Sequence, residues 1–531
     1  MKKWFAALLA VVMLLTAGMI SVFAEQDDRP TITVSVYDRG NVPTSVGTIV
    51  DNPVVDWINE NSPVKVEFMA VPRWNSAETF AAWFAAGTAP DLICEYECGT
   101  WIKEGYTMPL DDLIDEYSVE YKELLEKYPA AKKIAIPSGK EQMHTFVRIW
   151  PCTNYTTVLI RADWMDKLGL EIPTTLEEYK DVLYTLTTED PDGNGEDDTY
   201  GTNVSDFIKF MMGLSNETIG PHIDENGDIS YSTERMEAYY ELLKWMYDNN
   251  IIDHDYLTDT NGEKADADFV SGRMAILGTS DVKAENLIRE LYKNVPEARV
   301  VTMPMPSNEF GSFNGHVQGG LYNTGFINRN CTHPEDVIKY IDFMQSDEFY
   351  ARVMFGVEGV HYHFNEKGVP VRSAEEQERY TAEMQWASGF DYCMTYAKIK
   401  MPAAWADPVA KLTEESDRAA VDFANIVNDA TKWMFEDGRQ CTLVISSTVE
   451  LPTDIQFAYD SMAAEYQGIW DKAVTSGDAY SLEEALADYE KLYEESGYGK
   501  YVEFMTDWFT NNRDRIYVRN DNLELKPNYL E

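Results

Sequence analysis

From Thr31 to Tyr37 apolar and polar residues alternate with a period of two, the pattern of a strand with one face in a core. Val64–Met69 repeats it, and Pro53–Asn59 between them reads as the start of a helix. Ser76 opens a second helix that runs through Ala86 and is closed by Gly87, with Phe80, Trp83 and Phe84 on one face. Thr88–Ile93 returns to a short strand. Strands alternating with helices predict a largely parallel sheet covered on both faces.

A second unit of the same kind begins near Thr156. Val158–Ile160 is a strand, and Ala162–Leu168 is a helix closed by Gly169. Pro173 and Thr174 open another helix, with a capping box to Glu177 and an apolar stripe at Leu176, Tyr179, Val182, Leu183 and Leu186. Helices follow around Glu234–Asn249, Ala284–Tyr292 and Pro334–Gln345, and strands at Met274–Leu277 and Arg299–Met303. Asn226-Gly227 between Ile223 and Ile229 is a hairpin signal. From about Ala374 to Phe509 the chain is mostly helical. The coarse reading is two α/β lobes with a long helical tail.

The 531 residues allow several domains, and 44% hydrophobic residues are enough for large cores. With 44 basic against 91 acidic residues the net charge is −47, which opposes binding to nucleic acid or to anionic lipid. It also disfavours an anionic ligand, unless a local basic pocket overrides the mean field. Lys2 and Lys3, an uncharged run from Trp4 to Ala24 and the acids at Glu25, Asp27 and Asp28 form an export signal with a Val22-x-Ala24 exit. The run is also long enough for an uncleaved anchor. Either way, residues 25 onward are expected outside the cytoplasm, at the cell surface, in the periplasm or secreted.

Six cysteines (94, 98, 152, 331, 393, 441) are too few for a disulfide scaffold in so long a chain. Cys94 and Cys98 lack further ligands for zinc, which leaves a local disulfide or two buried thiols. No Gly-x-Ser-x-Gly, Gly-x-Gly-x-x-Gly, Walker loop or His-Glu-x-x-His occurs. His361 and His363, two apart, would share a strand face but have no third ligand. Nothing marks an enzyme.

The sharpest motif is Asp190-Pro-Asp192-Gly-Asn194-Gly195-Glu196-Asp197-Asp198. Oxygen side chains at relative positions 1, 3, 5 and 9 with Gly at 6 are the pattern of a calcium loop. Asp190, Asp192, Asn194 and Asp198 would give side-chain oxygens and Glu196 its carbonyl. Gly201 stands where an EF-hand has its bidentate Glu, so a neighbour must close the shell. The bland alternative is a solvated acidic turn.

Aromatic residues are plentiful, with 13 Trp, 32 Tyr and 22 Phe. Sugar rings stack on such side chains, while carboxylates and amides take the hydroxyl hydrogen bonds. Trp74, Trp101, Trp150, Tyr155, Tyr322, Trp386 and Trp405 lie where loops leave strand ends or could reach a cleft from the helical part. Asp38 and Asp91, at strand ends, could accept hydroxyl hydrogen bonds or merely cap helices.

An ordered series of motifs resembles the extracellular solute-binding proteins of ABC importers, the oligosaccharide-type group that includes alginate-oligosaccharide binders. It comprises Gly87-Thr-Ala-Pro-Asp91-Leu, Trp101-Ile-Lys-Glu-Gly105 with Pro109-Leu-Asp-Asp-Leu, and Leu159-Ile-Arg161-Ala-Asp163-Trp164-Met-Asp-Lys-Leu-Gly169. Pro173-Thr-Thr-Leu-Glu-Glu-Tyr179, Asn250-Ile-Ile-Asp253, Phe269-Val-Ser-Gly-Arg273 and Val357-Glu-Gly-Val-His361 follow in order. The resemblance implies a two-lobed, periplasmic-binding-protein-like type II α/β fold with a hinge and a helical C-terminal extension. It places a signal peptide at 1–24, the N-lobe at 25–150 and 318–368, and the C-lobe at 151–317 and 369–531. It implies a monomeric receptor that captures a carbohydrate between the lobes and delivers it to ABC permease subunits, with structural calcium at 190–198. Beyond Gln440 the resemblance fades. Leu15-Thr-Ala-Gly18 is followed by Met19 rather than by the Cys that carries the family's lipid. A secreted glycosidase or lyase, or a peptide or lipid-linked-sugar receptor on the same scaffold, are the alternatives.

Overall fold

The computed structural model describes residues 27–530 apart from 138, 155, 215–217, 224–227, 315, 316, 319, 390, 415, 437, 438, 441–448, 450, 516 and 518. The export segment, Tyr155 and Cys441 therefore lie outside the described residues. In the first lobe, β1 (Thr31–Asp38), β2 (Lys65–Pro72), β3 (Leu92–Ile93) and β4 (Phe146–Ile149) join a late strand in one sheet, and β5 (Thr153–Asn154) leads out of it. The second lobe holds β6 (Thr156–Arg161), β7 (Tyr200–Thr202), the short hairpin β8 (His222–Ile223) and β9 (Ile229–Ser230), β10 (Met274–Ser280) and β11 (Val300–Thr302). The chain then returns through β12 (Val317–Gln318) into β13 (Leu321–Ile327).

The first sheet runs β2-β1-β3-β13-β4 and the second β11-β6-β10-β7. Strand β1 is parallel to β2 and β3, while β13 enters antiparallel between β3 and β4. That close entry needs Gly325, whose φ is 152°. A Cβ there would sit 2.2 Å from the Ile93 carbonyl, so a side chain would push the strands apart. Two of the crossings between the lobes, β5 and β12, pair with each other as an antiparallel ribbon, Val317 opposite Asn154 and Gln318 opposite Thr153. This ribbon is the hinge element.

Local signals set the elements where they were expected. Asn52 accepts from Val54 N and Val55 N and starts the helix Pro53–Asn61. Gly87 and Gly169, both left-handed, end Ser76–Ala86 and Ala162–Leu168. The capping box of Leu176–Thr188 is displaced by one residue from the expected Thr174–Glu177 pair. Thr175 is the cap and Glu178 its partner, and Glu178 also takes the N–H and hydroxyl of Thr174.

Two large cores match the two lobes. Residues 369–531, all expected in the second lobe, instead divide. Tyr380, Trp386, Tyr392 and Tyr396 pack in the first core, as do Tyr517 and Leu525. Tyr396 stacks on Tyr350 at 4.2 Å and donates to Asp347, and Gln345 donates to the Thr395 carbonyl. Helices Thr453–Thr475, Leu482–Ser496 and Tyr498–Asn511 pack in the second core through Met462, Trp470, Tyr489 and Tyr501. Helix Arg418–Glu436 bridges the lobes: Ala419 and Ile426 lie on the second, Met434 in the first. No helix among the described residues is long and apolar enough to cross a membrane.

Candidate functional site

The carboxyl ends of β1, β2, β3 and β4 and the start of β13 lie along one edge of the first sheet, where loops of an open α/β sheet present ligand-binding groups. Tyr37 and Asp38 end β1, Arg73 and Trp74 follow β2, Tyr96 follows β3, Arg148 and Trp150 end β4, and Tyr322 pairs with Arg148 across β13. Their rings touch: Tyr37 stacks on Tyr96 at 6.1 Å, and Tyr322 meets Tyr96 edge-on at 5.5 Å.

Cations are set among these rings. The Arg73 guanidinium lies 4.6, 5.3 and 5.5 Å from the rings of Tyr37, Trp74 and Tyr96. Arg148 lies 3.8, 5.2 and 5.7 Å from Trp150, Tyr322 and Tyr96. Lys398 Nζ also lies over Trp150, at 3.7 Å. Burial lowers the Arg148 pKa and brings that of Lys398 down to about 7. The carboxylates at this edge are engaged. Glu95 accepts from Tyr37 Oη and the Tyr96 and Glu97 amides, Asp391 is bidentate to Arg39, and Asp38 accepts from Gly40 N.

In the second lobe a cavity of about 420 Å³ opens at the carboxyl ends of β7 and β10. Thr202, Asn203, Ser205, Asp206, Asp253 and Asn261 are among its walls. Asn203 holds the rim by exchanging two hydrogen bonds with the Gly278 backbone. Thr156, the first residue of β6 beyond the hinge ribbon, lines the same cavity. The aromatic edge ends at Trp150, just before the ribbon, so the two walls adjoin it from either side.

Of the ligand candidates read from sequence, Asp38, Trp74, Trp150 and Tyr322 meet at the first-lobe edge. Trp74 is 80% exposed and Tyr322 39%, so both have ring surface to offer. Trp150 is 8% exposed, its N–H donates to the Tyr396 carbonyl, and cations lie over its indole. It is a cation platform rather than a sugar platform. Trp101 is a correction: at 4% exposure it sits in the first core against Phe80, Phe84 and Tyr106. Trp386 is buried too, edge-on to Tyr392 with its N–H on the Glu383 carbonyl. Trp405 packs with Phe355 and Phe364 and donates to the Gly368 carbonyl. Asp91 lies at the amino end of β3, where Thr33 N and Oγ1 donate to it, so it ties β3 to β1 at the opposite edge. Tyr37, Tyr96, Arg73, Arg148 and Lys398 were missed. The available signal was Arg148, a cation between Val147 and Ile149 in a strand of a strongly acidic chain.

The acidic loop gathers its donors. Asp190, at φ 46°, accepts from the amides of Gly193, Asn194 and Gly195. The Asn194 side-chain amide reaches both Asp192 and Asp198, at 2.9 and 3.1 Å. A hydrogen bond from Asp192, seconded by those amides, holds Asp190 below the usual carboxylate range, while burial and then the neighbouring acids push Asp192 up. Carboxylates gathered this closely repel one another, and a hard cation among them would offset that repulsion. Lys167 ties the loop to helix Ala162–Leu168 through the Pro191 carbonyl. His361 and His363 do not form a ligand pair: the first meets Glu383, the second Glu376. Among the described cysteines, 94, 98, 331 and 393 are free thiols, and Cys152 Sγ lies 3.8 Å from Tyr517 Oη.

The family model for bacterial extracellular solute-binding proteins matches residues 40–351, more than half of the chain. A polygalacturonan/rhamnogalacturonan-binding protein, YtcQ of Bacillus subtilis, is 19% identical over 83% of this chain and 87% of its own length. The fructooligosaccharide ABC transporter substrate-binding protein FusA of Streptococcus pneumoniae is 24% identical over 43% of this chain and 46% of its own. An extracellular solute-binding protein from Bifidobacterium longum subsp. infantis has the same fold, with a TM-score of 0.66 at 16% identity, covering 91% of this chain and 99% of that one.

Proposed function

We propose that this chain, which belongs to the bacterial extracellular solute-binding proteins, captures an oligosaccharide beside its hinge ribbon and hands it to an ABC permease. The observation that carries this reading is the joint placement of two unlike walls. An aromatic edge with exposed Trp74 and Tyr322 ends on one side of the ribbon, and a cavity of hydroxyl, amide and carboxylate groups begins on the other. Flat rings take the C–H faces of a pyranose and the polar cavity takes its hydroxyls. Sugar binding is also what the names of the YtcQ and FusA relatives state of those proteins.

The ligand leaves chemically unchanged, because the chain's part in transport is capture and release. Calcium fits the 190–198 loop as a structural ion. Asp190, Asp192, Asn194 and Asp198 would hold it by side-chain oxygens and Glu196 by its carbonyl, and it would fix the loop against the Ala162–Leu168 helix.

Purified protein incubated with a glycan library tests the reading. Some glycan should raise the melting temperature and be recovered intact. Turnover at catalytic protein concentrations, or no shift with any glycan, would overturn it.

A further inference from the structure

The cations of the first-lobe edge stand in a chain with more than twice as many acidic as basic residues. Arg73 and Arg148 both lie over the Tyr96 ring, 5.5 and 5.7 Å from its centroid. Both have a buried Nε with no hydrogen-bond partner among the described residues, and neither forms a salt bridge there. The nearby carboxylates are already committed, Asp391 to Arg39 and Glu95 to Tyr37 Oη and two amides. A partly desolvated guanidinium with no directly paired carboxylate is unfavourable, and its planar fork matches a carboxylate. Neutral hydroxyls alone would leave the charges uncompensated.

We propose that the aromatic edge selects an acidic oligosaccharide, with Arg73 and Arg148 receiving the carboxylate of a uronate residue whose neighbouring ring stacks on Trp74 or Tyr322. The proposal rests on the reading of this edge as the sugar-binding wall. The mean negative field of the molecule opposes such a ligand, so the local cations must overcome it. Exposed Arg289, by contrast, pairs with Asp417 and Glu285.

Isothermal titration of the full chain decides it, with trigalacturonate, trimannuronate and triguluronate, their methyl esters, and neutral trisaccharides of glucose, galactose, mannose and fructose as probes. At least one uronate should bind, its methyl ester at least about tenfold more weakly, and Arg148→Gln or Arg73→Gln should cost about tenfold or more. Raising the salt should weaken the uronate and leave any neutral binder nearly unchanged. If the arginine variants fail to fold, the ester and salt comparisons on the wild-type chain still decide. Binding of a neutral sugar but no uronate, or equal affinity for acid and ester, would overturn the acidic selectivity and leave the receptor reading intact. Failure of every sugar would overturn both.

Discussion

At the first-lobe edge Arg73, Arg148 and Lys398 lie over the rings of Tyr37, Trp74, Tyr96 and Trp150, whereas the cavity across the hinge ribbon carries Asp206, Asp253 and Asp259 among threonines, asparagines and serines. The first wall is large, flat and positively charged, the second small-featured, polar and negatively charged. Stacking and ion pairing tolerate rotation of a sugar about its own axis, while short side chains at fixed positions read individual hydroxyls. On the proposed function the labour divides: the aromatic wall would supply hold and ligand class, the polar wall discrimination among sugars of that class.

The contrast is sharpened first by separating wall from core. Trp101→Ala should cost about 3–5 kcal/mol of stability, because it removes a buried indole ringed by Phe80, Phe84 and Tyr106. Sugar affinity of the folded fraction should stay at the wild-type value, and urea denaturation with titration calorimetry checks both. A loss of affinity without a loss of stability would return Trp101 to the wall.

Calcium should act on the second lobe. Free ion at a hundredfold excess over its Kd stabilises by about 2.7 kcal/mol, so a chelator should lower the melting temperature of the wild type but not of Asp192→Ala. Elemental analysis showing no metal, together with no chelator effect, would reduce the loop to an acidic turn.

The two lobes should also respond to pH with opposite sign. Lys398 titrates near 7 in the folded chain, below its ordinary value, so the unfolded chain binds the extra proton above pH 7. Its contribution to stability therefore rises with pH through that window, and Lys398→Met should flatten the rise. Asp471, inside the second lobe, is raised to about 6 by burial. Here the folded chain holds the extra proton, so stability falls as pH climbs through 4 to 6. Asp471→Asn should raise the melting temperature above pH 6 and leave it unchanged below pH 4. Equal slopes in both variants and the wild type would show that neither group is desolvated as drawn.

The smallest effect should come from the most exposed residue. Trp74→Ala should leave the melting temperature unchanged, because the ring buries little, and should weaken sugar binding by about 0.5–1.5 kcal/mol beyond lost area. Quenching of tryptophan fluorescence by the ligand should shrink with it. Full signal in the variant would take Trp74 out of the wall.

What the sequence determined by itself are features whose causes lie within a few residues. The strand read at Thr31–Tyr37 and the helix stops at Gly87 and Gly169 occur as read, though Val34 to Tyr37 are buried on both faces of the sheet rather than alternately. Even there the capping box slid by one residue, because Thr174 and Thr175 both satisfy the pattern and only packing of the following helix chooses. The ordered motifs made the family legible, since their order survives where single residues drift. Tertiary structure decided which aromatics are exposed. Trp101 and Trp74 look alike along the chain, each a few residues past a strand, yet one is 4% and the other 80% exposed. The wall is assembled from the ends of β1 to β4 and from β13, which enters the sheet antiparallel from more than 150 residues beyond β4. Asp91 fell at the wrong edge because strand direction, not proximity to a strand, fixes which end carries the site. Side-chain period and capping are short-range physics; the juxtaposition of Arg73, Tyr96 and Arg148 exists only after distant strands pair, and no local pattern encodes it.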